Sequence, residues 1–113
     1  MERIFQTVAV EVTLLKSNPP QLAITAIGQV SSGGWKNGTL EPRYYIVPPA
    51  DGIQDFDFVA TPPFFSEAVQ VMLPITAYHV IEQIPDWLLG VRIHAKTNNV
   101  EAKLSEAKEY LIS

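Results

Sequence analysis

Polar and apolar residues alternate with a period of two in the segment TVAVEVTL, residues 7–14, and shorter runs along the chain repeat the pattern. Such alternation is typical of a β-strand that buries one face and exposes the other. Prolines and glycines are spread between the runs, as expected for turns. The sequence has no long helical segment that could serve as a crossover in a parallel α/β fold. An all-β chain of short strands is therefore predicted.

The runs predict about seven strands, over residues 7–14, 22–30, 40–47, 54–60, 68–75, 90–96 and 100–104. The second run loses its alternation near Gly28, which a β-bulge there would explain. Pro42 predicts an edge position or a bulge for the third strand. Residues 76–87 fit either a strand that continues to Ile81 or a helical turn. Residues 105–113 are expected to form a short helical turn or a frayed tail.

Strands of this number and spacing predict one domain over residues 1–113, an all-β, immunoglobulin-like antiparallel β-sandwich, with a small β-barrel as the alternative. The chain has no cysteine, so it lacks the disulfide of immunoglobulin domains, and the term describes architecture only. The predicted core consists of Val8, Val10, Val12, Phe56, Phe58, Val69, Val71, Val91 and Ile93.

Composition limits the function. The net charge of −4 argues against a nucleic-acid surface, which is normally strongly basic. The absence of cysteine excludes a disulfide framework and a thiolate nucleophile. No window approaches the roughly 18 apolar residues of a membrane span, and the first segment lacks the features of a signal peptide. A soluble, cytoplasmic protein with neither nucleic-acid nor membrane partners is expected.

The segment DGIQDFDFVA, residues 51–60, holds three aspartates among apolar residues. Asp51, Asp55 and Asp57 do not have the spacing of a calcium-binding loop. Two carboxylates about 6.5 Å apart on one strand face resemble a glycosidase pair, but the chain is small for a sugar-sized catalytic cleft. Because Phe56 and Phe58 alternate with the aspartates, a strand with a wet carboxylate face is favoured. No metal and no cofactor are expected.

A basic stripe is predicted where Arg92, His94 and Lys96 share the outward face of one strand. Such a stripe could hold an anion or an acidic partner. The simpler interpretation is a wet sheet face whose cations pair across strands with acidic residues such as Asp55 and Asp57.

A catalytic centre is less well supported. His79 and Glu82 form an H-x-x-E motif that could supply two metal ligands on a helix, but two histidines and no cysteine make a structural zinc site a poor fit. The serines have no nearby histidine and no nucleophile-elbow motif. The chain is therefore predicted not to be an enzyme, and a third hypothesis, an enzyme that uses His79, Glu82 and the aspartates, is the least favoured.

Aromatic residues in loops are the remaining candidates for contact with a ligand or partner. They are Trp35 in a glycine-flanked loop, Tyr45, and the pair Phe64 and Phe65 after two prolines. Rings of this kind either fold back over the open end of the core or form a contact patch, since they offer large area at low entropy cost.

The function favoured by these observations is a non-enzymatic interaction module that acts through protein contacts. Self-association as a homodimer is expected, through a sheet face or edge together with Phe64 and Phe65, because the strand over residues 7–14 has few features that protect an edge. The alternative is a small carbohydrate-binding domain that uses Trp35, Tyr45 and the Asp55/Asp57 face.

Overall fold

The computed structural model describes residues 1–64 and 70–111, with the backbone alone at residues 110 and 111. These parts of the chain contain nine β-strands and one short 3-10 helix, Leu104–Glu106. The strands are β1 (Glu2–Arg3), β2 (Gln6–Lys16), β3 (Gln21–Val30), β4 (Lys36–Pro42), β5 (Ile53–Thr61), β6 (Leu73–Ile81), β7 (Gly90–His94), β8 (Asn99–Lys103) and β9 (Lys108–Leu111).

The strands form two packed sheets and not a closed barrel, which confirms the all-β sandwich. Sheet A contains β1, β4, β5, β7 and β8, and sheet B has the order β6-β3-β2-β9. In sheet A, β4 lies along one edge of β5, while β7 and β1 share its other edge. No helix in the described ranges is long and apolar enough to cross a membrane.

Each sheet contains one parallel pair of strands, β5 with β7 in sheet A and β2 with β9 in sheet B. This differs from the expected antiparallel pairing throughout. A parallel pair requires a long crossover connection, and here strands of the opposite sheet, such as β6 between β5 and β7, lie within that connection. The pairing also places the end of β2, Thr13–Lys16, between β3 and β9, whereas Gln6–Val12 pairs in its sheet with β3 alone among the described strands.

The core lies between the sheets and is built on the predicted alternation. Phe56, Phe58, Val91 and Ile93 have no solvent exposure, and Val12 is also buried. The prediction was wrong for Val8 and Val71, which are 52% and 44% exposed. Val10 is half-buried against the core, and Val69 lies outside the described residues.

A β-bulge in β2 explains the exposure of Val8. Thr7 pairs with Gly28 and Ala9 with Ile27, so Val8 is the extra residue and the inward parity changes there. The bulge was expected at Gly28, on the opposite strand. Gly28 instead continues the inward alternation of β3, at a point where a Cβ atom would overlap the side chain of Ile4.

Three other boundaries differ from those predicted. β4 ends at Pro42 as an edge strand and does not continue to residue 47. A strand was predicted over residues 68–75, of which 68 and 69 lie outside the described residues, and β6 begins at Leu73 and continues to Ile81, which confirms the strand interpretation of the segment up to Ile81. After β8, the 3-10 helix Leu104–Glu106 corresponds to the expected helical turn, and Lys108–Leu111 then forms β9 in place of a frayed tail.

Candidate interaction surface

The outward side chains of sheet A form a charged face. Asp55 and Asp57 point away from the buried rings of Phe56 and Phe58, as the alternation predicted, and their side chains are 14% and 27% exposed. They are therefore outward but largely covered. Five further side chains complete the charged face, namely Arg3, Arg43, Arg92, His94 and Glu101.

Asp55 is the centre of one ion-pair network. Its Oδ1 atom accepts a hydrogen bond from Arg92 Nη1 at 3.0 Å and lies 2.6 Å from His94 Nε2, while its Oδ2 accepts from the Tyr45 hydroxyl at 2.8 Å. Burial acts to raise the pKa of Asp55, but the hydrogen bonds from His94 and Tyr45 and the charge of Arg92 outweigh it and lower that pKa. The prediction that the basic stripe pairs with Asp55 is confirmed for Arg92 and His94, whereas Lys96 makes no ion pair with a carboxylate of the described residues.

Arg92 also binds two carboxylates at the rim of this network. Its Nε donates to Glu101 at 2.9 Å and its Nη2 to Asp51 at 3.2 Å. With Asp55, Arg92 thus contacts three carboxylates, and its side chain is only 22% exposed. The role of Arg92 and His94 in holding a partner stays a prediction, but most of their hydrogen-bonding capacity is used inside the chain.

Asp57 is paired with two arginines, Arg3 of β1 and Arg43, which directly follows β4. Arg3 Nη2 lies 2.7 Å and Arg43 Nη2 3.0 Å from Asp57 Oδ1. Burial acts to raise the pKa of Asp57, but the two guanidiniums lower it overall. Nothing in the local sequence pattern pointed to these partners, because they depend on the register of β1 and of the segment after β4 against β5.

Neither aspartate lies in an arrangement suited to a metal. Within the described residues, no group of three or more histidine and acidic side chains could hold a metal ion. Catalysis by a carboxylate pair requires one group that exchanges protons with a substrate. Both carboxylates here are instead bound by arginines, and their pKa values are lowered.

His79 lies apart from the charged face, on the inward side of β6. Its ring packs against Phe56 at a centroid distance of 5.0 Å, and burial lowers its pKa. A groove of about 240 Å³ opens beside it, and Glu82 also lines this groove. Because His79 is on a strand, the helical spacing assumed for a metal pair with Glu82 is absent.

The predicted loop aromatics occupy three separate places. Tyr45 is half-buried, and its ring meets Trp87 edge to face at 6.2 Å. Trp35 packs against the core and donates from Nε1 to Ser32 Oγ at 3.1 Å. Phe64 is 92% exposed, while Phe65 lies outside the described residues.

The outward side chains of β2, β3 and β6 form a second surface, here called the low-charge face. Its members are mostly small, hydroxylated or apolar, namely Ala9, Glu11, Thr13, Ala23, Thr25, Ile27, Thr76, Tyr78 and Val80. Cross-strand pairing aligns them in rows, for example Glu11 with Thr25 and Thr25 with Tyr78.

Exposed apolar side chains lie on and beside the low-charge face, and a second group, Tyr44, Ile46 and Val47, lies in the segment after β4. Tyr78 is 72% exposed, and Ile27 and Val80 are each exposed by more than two fifths. The bulged Val8 and the exposed residues Val71–Leu73 adjoin the same sheet. Glu11 is the single charged member, and it pairs with Lys108 of β9 at 3.5 Å.

Most of the low-charge face was missed at the level of sequence. The outward residues of β2, β3 and β6 could not be joined into one face without knowledge of the register. The sequence did contain one signal for this face: Ala23, Thr25 and Ile27 alternate with the buried residues of β3, which places them on its outward side.

The fold and its two contrasting faces define a β-sandwich domain of two mixed sheets. No protein-family model matches this chain, and no curated protein and no solved structure shows significant similarity to it.

Proposed function

We propose that this chain is a non-enzymatic interaction module that acts through protein contacts, and that its contact surface is the low-charge face. The observation that carries the proposal is the contrast between the two outer faces of the sandwich. The charged face satisfies its side chains internally, whereas the low-charge face leaves Tyr78, Ile27 and Val80 in contact with water. Exposed contiguous apolar surface on a folded domain typically marks an interaction site.

The partner we propose is a second copy of the chain. A face that binds itself across a two-fold axis must not place like charges opposite each other. The low-charge face meets this condition, because the charge of Glu11 is balanced by Lys108 within the same copy. Elsewhere the chain is acidic, with a net charge of −4, so this face is where two copies repel each other least.

The size of the low-charge face fits a modest dimer. Three to four strands about 4.8 Å apart, each with about eight residues rising about 3.3 Å, span roughly 15–19 by 26 Å. That area is smaller than the typical interface of about 800 Å² per partner. The exposed residues Val71–Leu73 and Val8 border the sheet and extend it. We therefore expect association in the micromolar range of Kd.

Sedimentation equilibrium tests the proposal with a matched pair of variants. Thr25→Arg places a charge at the middle of the low-charge face, and Asn99→Arg places the same side chain on an exposed position of β8. The native chain and Asn99→Arg are expected to dimerise, and Thr25→Arg to sediment as the 12.5 kDa monomer. A native chain that remains monomeric at about 100 µM, well above a micromolar Kd, would exclude the homodimer.

Tyr78→Ala gives an independent test of the same surface. Exposed tyrosines near the centre of an interface are frequent hot spots, and their truncation typically costs more than about 1 kcal/mol of binding. The dimer Kd is expected to rise at least several-fold. A dimer that tolerates both Thr25→Arg and Tyr78→Ala uses another surface.

The carbohydrate-binding alternative places its residues in two separate regions. Tyr45 binds Asp55 near the start of β5. Trp35 lies next to Lys36, which pairs with Thr61 at the other end of β5. Six residues of extended strand span roughly 20 Å, which is too far for one sugar ring.

Residence in the cytoplasm also belongs to the proposal, since the absence of cysteine suits a reducing compartment.

A further inference from the structure

A cavity of about 330 Å³ lies where the N-terminal segment passes from sheet A to sheet B. It is here called the crossover cavity, and its lining residues are Glu2, Arg3, Phe5, Ser31, Trp35 and Lys96. It is separate from the low-charge face and from the ion-pair network centred on Asp55. Its volume lies near the lower limit of about 300–1,000 Å³ for small-molecule sites, which suits a ligand of one ring.

The aromatic walls of the crossover cavity are held in place by the fold. Trp35 is fixed at its inner edge by the hydrogen bond to the buried Ser32. Phe5 is fixed through its backbone, because its N–H donates to Gln29 O at 3.1 Å and its carbonyl accepts from Thr97 N at 3.0 Å. A preformed site loses little conformational freedom on binding.

The charges of the crossover cavity favour an anion. Lys96 has no carboxylate within ion-pair distance among the described residues, and its backbone N–H is fixed by Ile4 O at 2.9 Å. Arg3 is bound to Asp57, but that carboxylate also neutralises Arg43. Two guanidiniums therefore share one carboxylate, and Arg3, Arg43 and Lys96 together exceed the carboxylates of Asp57 and Glu2 by one formal positive charge.

The polar lining also calls for hydroxyl groups on the ligand. Glu2 can accept hydrogen bonds but cannot donate them when ionised, whereas the Ser31 hydroxyl can do both. A sugar ring supplies hydroxyl donors for such groups. Its C–H face is also complementary to the negative face of an indole ring.

From this combination we propose that the crossover cavity binds a sugar ring that carries an acidic group, either a carboxylate or a phosphate. Trp35 and Phe5 contact the ring, Lys96 and Arg3 bind the acidic group, and Glu2 and Ser31 bind hydroxyls. The site does not depend on the proposed dimer, because none of these residues lies on the low-charge face.

Two-dimensional NMR of the native chain tests the proposal with three probes: glucuronate, glucose 6-phosphate and glucose. Only Trp35 and Trp87 carry indole N–H groups, and a Trp87→Phe spectrum assigns their two signals. At least one acidic sugar is expected to shift the Trp35 indole and the Phe5 and Lys96 amide signals saturably, and to bind at least about tenfold more tightly than glucose. Which acidic sugar binds better identifies the acidic group.

The matched variants Lys96→Gln and Lys103→Gln test the charge requirement. Both lysines are exposed, but Lys103 lies on β8, outside the crossover cavity. Lys96→Gln is expected to weaken binding of the acidic sugar about tenfold, and Lys103→Gln to leave it unchanged. The proposal is overturned if neither acidic sugar gives a saturable shift, if glucose binds equally well, or if the two variants behave alike.

Discussion

Asp55 and His94 lie on neighbouring parallel strands, and Nε2 of His94 is 2.6 Å from Oδ1 of Asp55. The same carboxylate oxygen accepts a hydrogen bond from Arg92. One acidic side chain thus connects β5 with two positions of β7, and the free energy of this network depends on the charge of that side chain.

Asp55→Asn is expected to lower the free energy of unfolding at pH 7 by about 1–3 kcal/mol, because it leaves Arg92 with one fewer carboxylate in a partly covered site. The pKa of Asp55 is lowered in the folded chain. Its contribution is therefore full above the unfolded value of about 3.9 and is lost as the pH falls below it. Urea denaturation should show that the difference in unfolding free energy between the native chain and Asp55→Asn shrinks as the pH falls below about 3.9. Asp86→Asn, at an exposed site, is the control and should change the unfolding free energy by no more than about 0.5 kcal/mol.

His79→Leu should reduce the dependence of stability on pH below neutrality. Burial lowers the pKa of His79, so below about 6.5 the unfolded chain binds the proton more readily than the folded chain, and stability falls. Above that value the group has no such effect. Unfolding free energies at pH 7.5 and 5.5 measure the slope, and Glu82→Gln controls for the carboxylate that lines the same groove. Equal slopes for the native chain and His79→Leu would contradict the view that burial lowers the pKa of His79.

Gly28→Ala tests the packing opposite the bulge. The added Cβ would overlap the Ile4 side chain and lie 2.8 Å from the Gln6 carbonyl oxygen, so a loss of about 1–3 kcal/mol is expected from overpacking. Gly33→Ala is the matched control, since its nearest contact would be Leu73 at 3.9 Å, and it should change stability by no more than about 0.5 kcal/mol. Thermal or chemical unfolding compares the two, and an equal effect would rule out the close approach of β3 to Ile4.

Calcium is expected to leave the melting temperature unchanged, because the oxygens of Asp55 and Asp57 are bound by arginines, His94 and Tyr45. A ligand specific for the folded state, present at a hundredfold excess over its Kd, would stabilise by about 2.7 kcal/mol. Melting curves with millimolar calcium and with a chelator should superimpose. A calcium-dependent rise that Asp55→Asn together with Asp57→Asn removes would show a cation site here.

The alternation of apolar and polar residues predicted the strands that have one buried and one solvent-exposed face. β5 and β7 were found because buried Phe56, Phe58, Val91 and Ile93 alternate with charged residues. The same rule overextended β4, since the segment YYIV after it has strong strand propensity. Beyond Arg43, whose N–H binds Asp55 O, the chain leaves β5 and the Tyr45 hydroxyl returns to Asp55.

The remaining misses come from interactions between distant residues. The bulge at Val8 is stabilised by Asn98, whose side chain binds both the N–H and the carbonyl of Thr7 at 2.8 Å. A local pattern cannot reveal a contact between residues so far apart in the chain. The parallel strand β9 and the pairs that Asp57 makes with Arg3 and Arg43 were missed for the same reason.

The parallel pairing of β2 with β9 has a consequence for how the chain acquires its structure. Leu14 pairs with Glu109, and in sheet A Glu2 pairs with Ala60. Closing such long loops costs entropy before their contacts give stability, and all-β domains of this kind typically fold in milliseconds to seconds. During synthesis on the ribosome, the part of β2 that pairs with β9, Thr13–Lys16, must therefore wait for residues 108–111 before its second edge is covered. Until then its unpaired N–H and C=O groups are open to other chains.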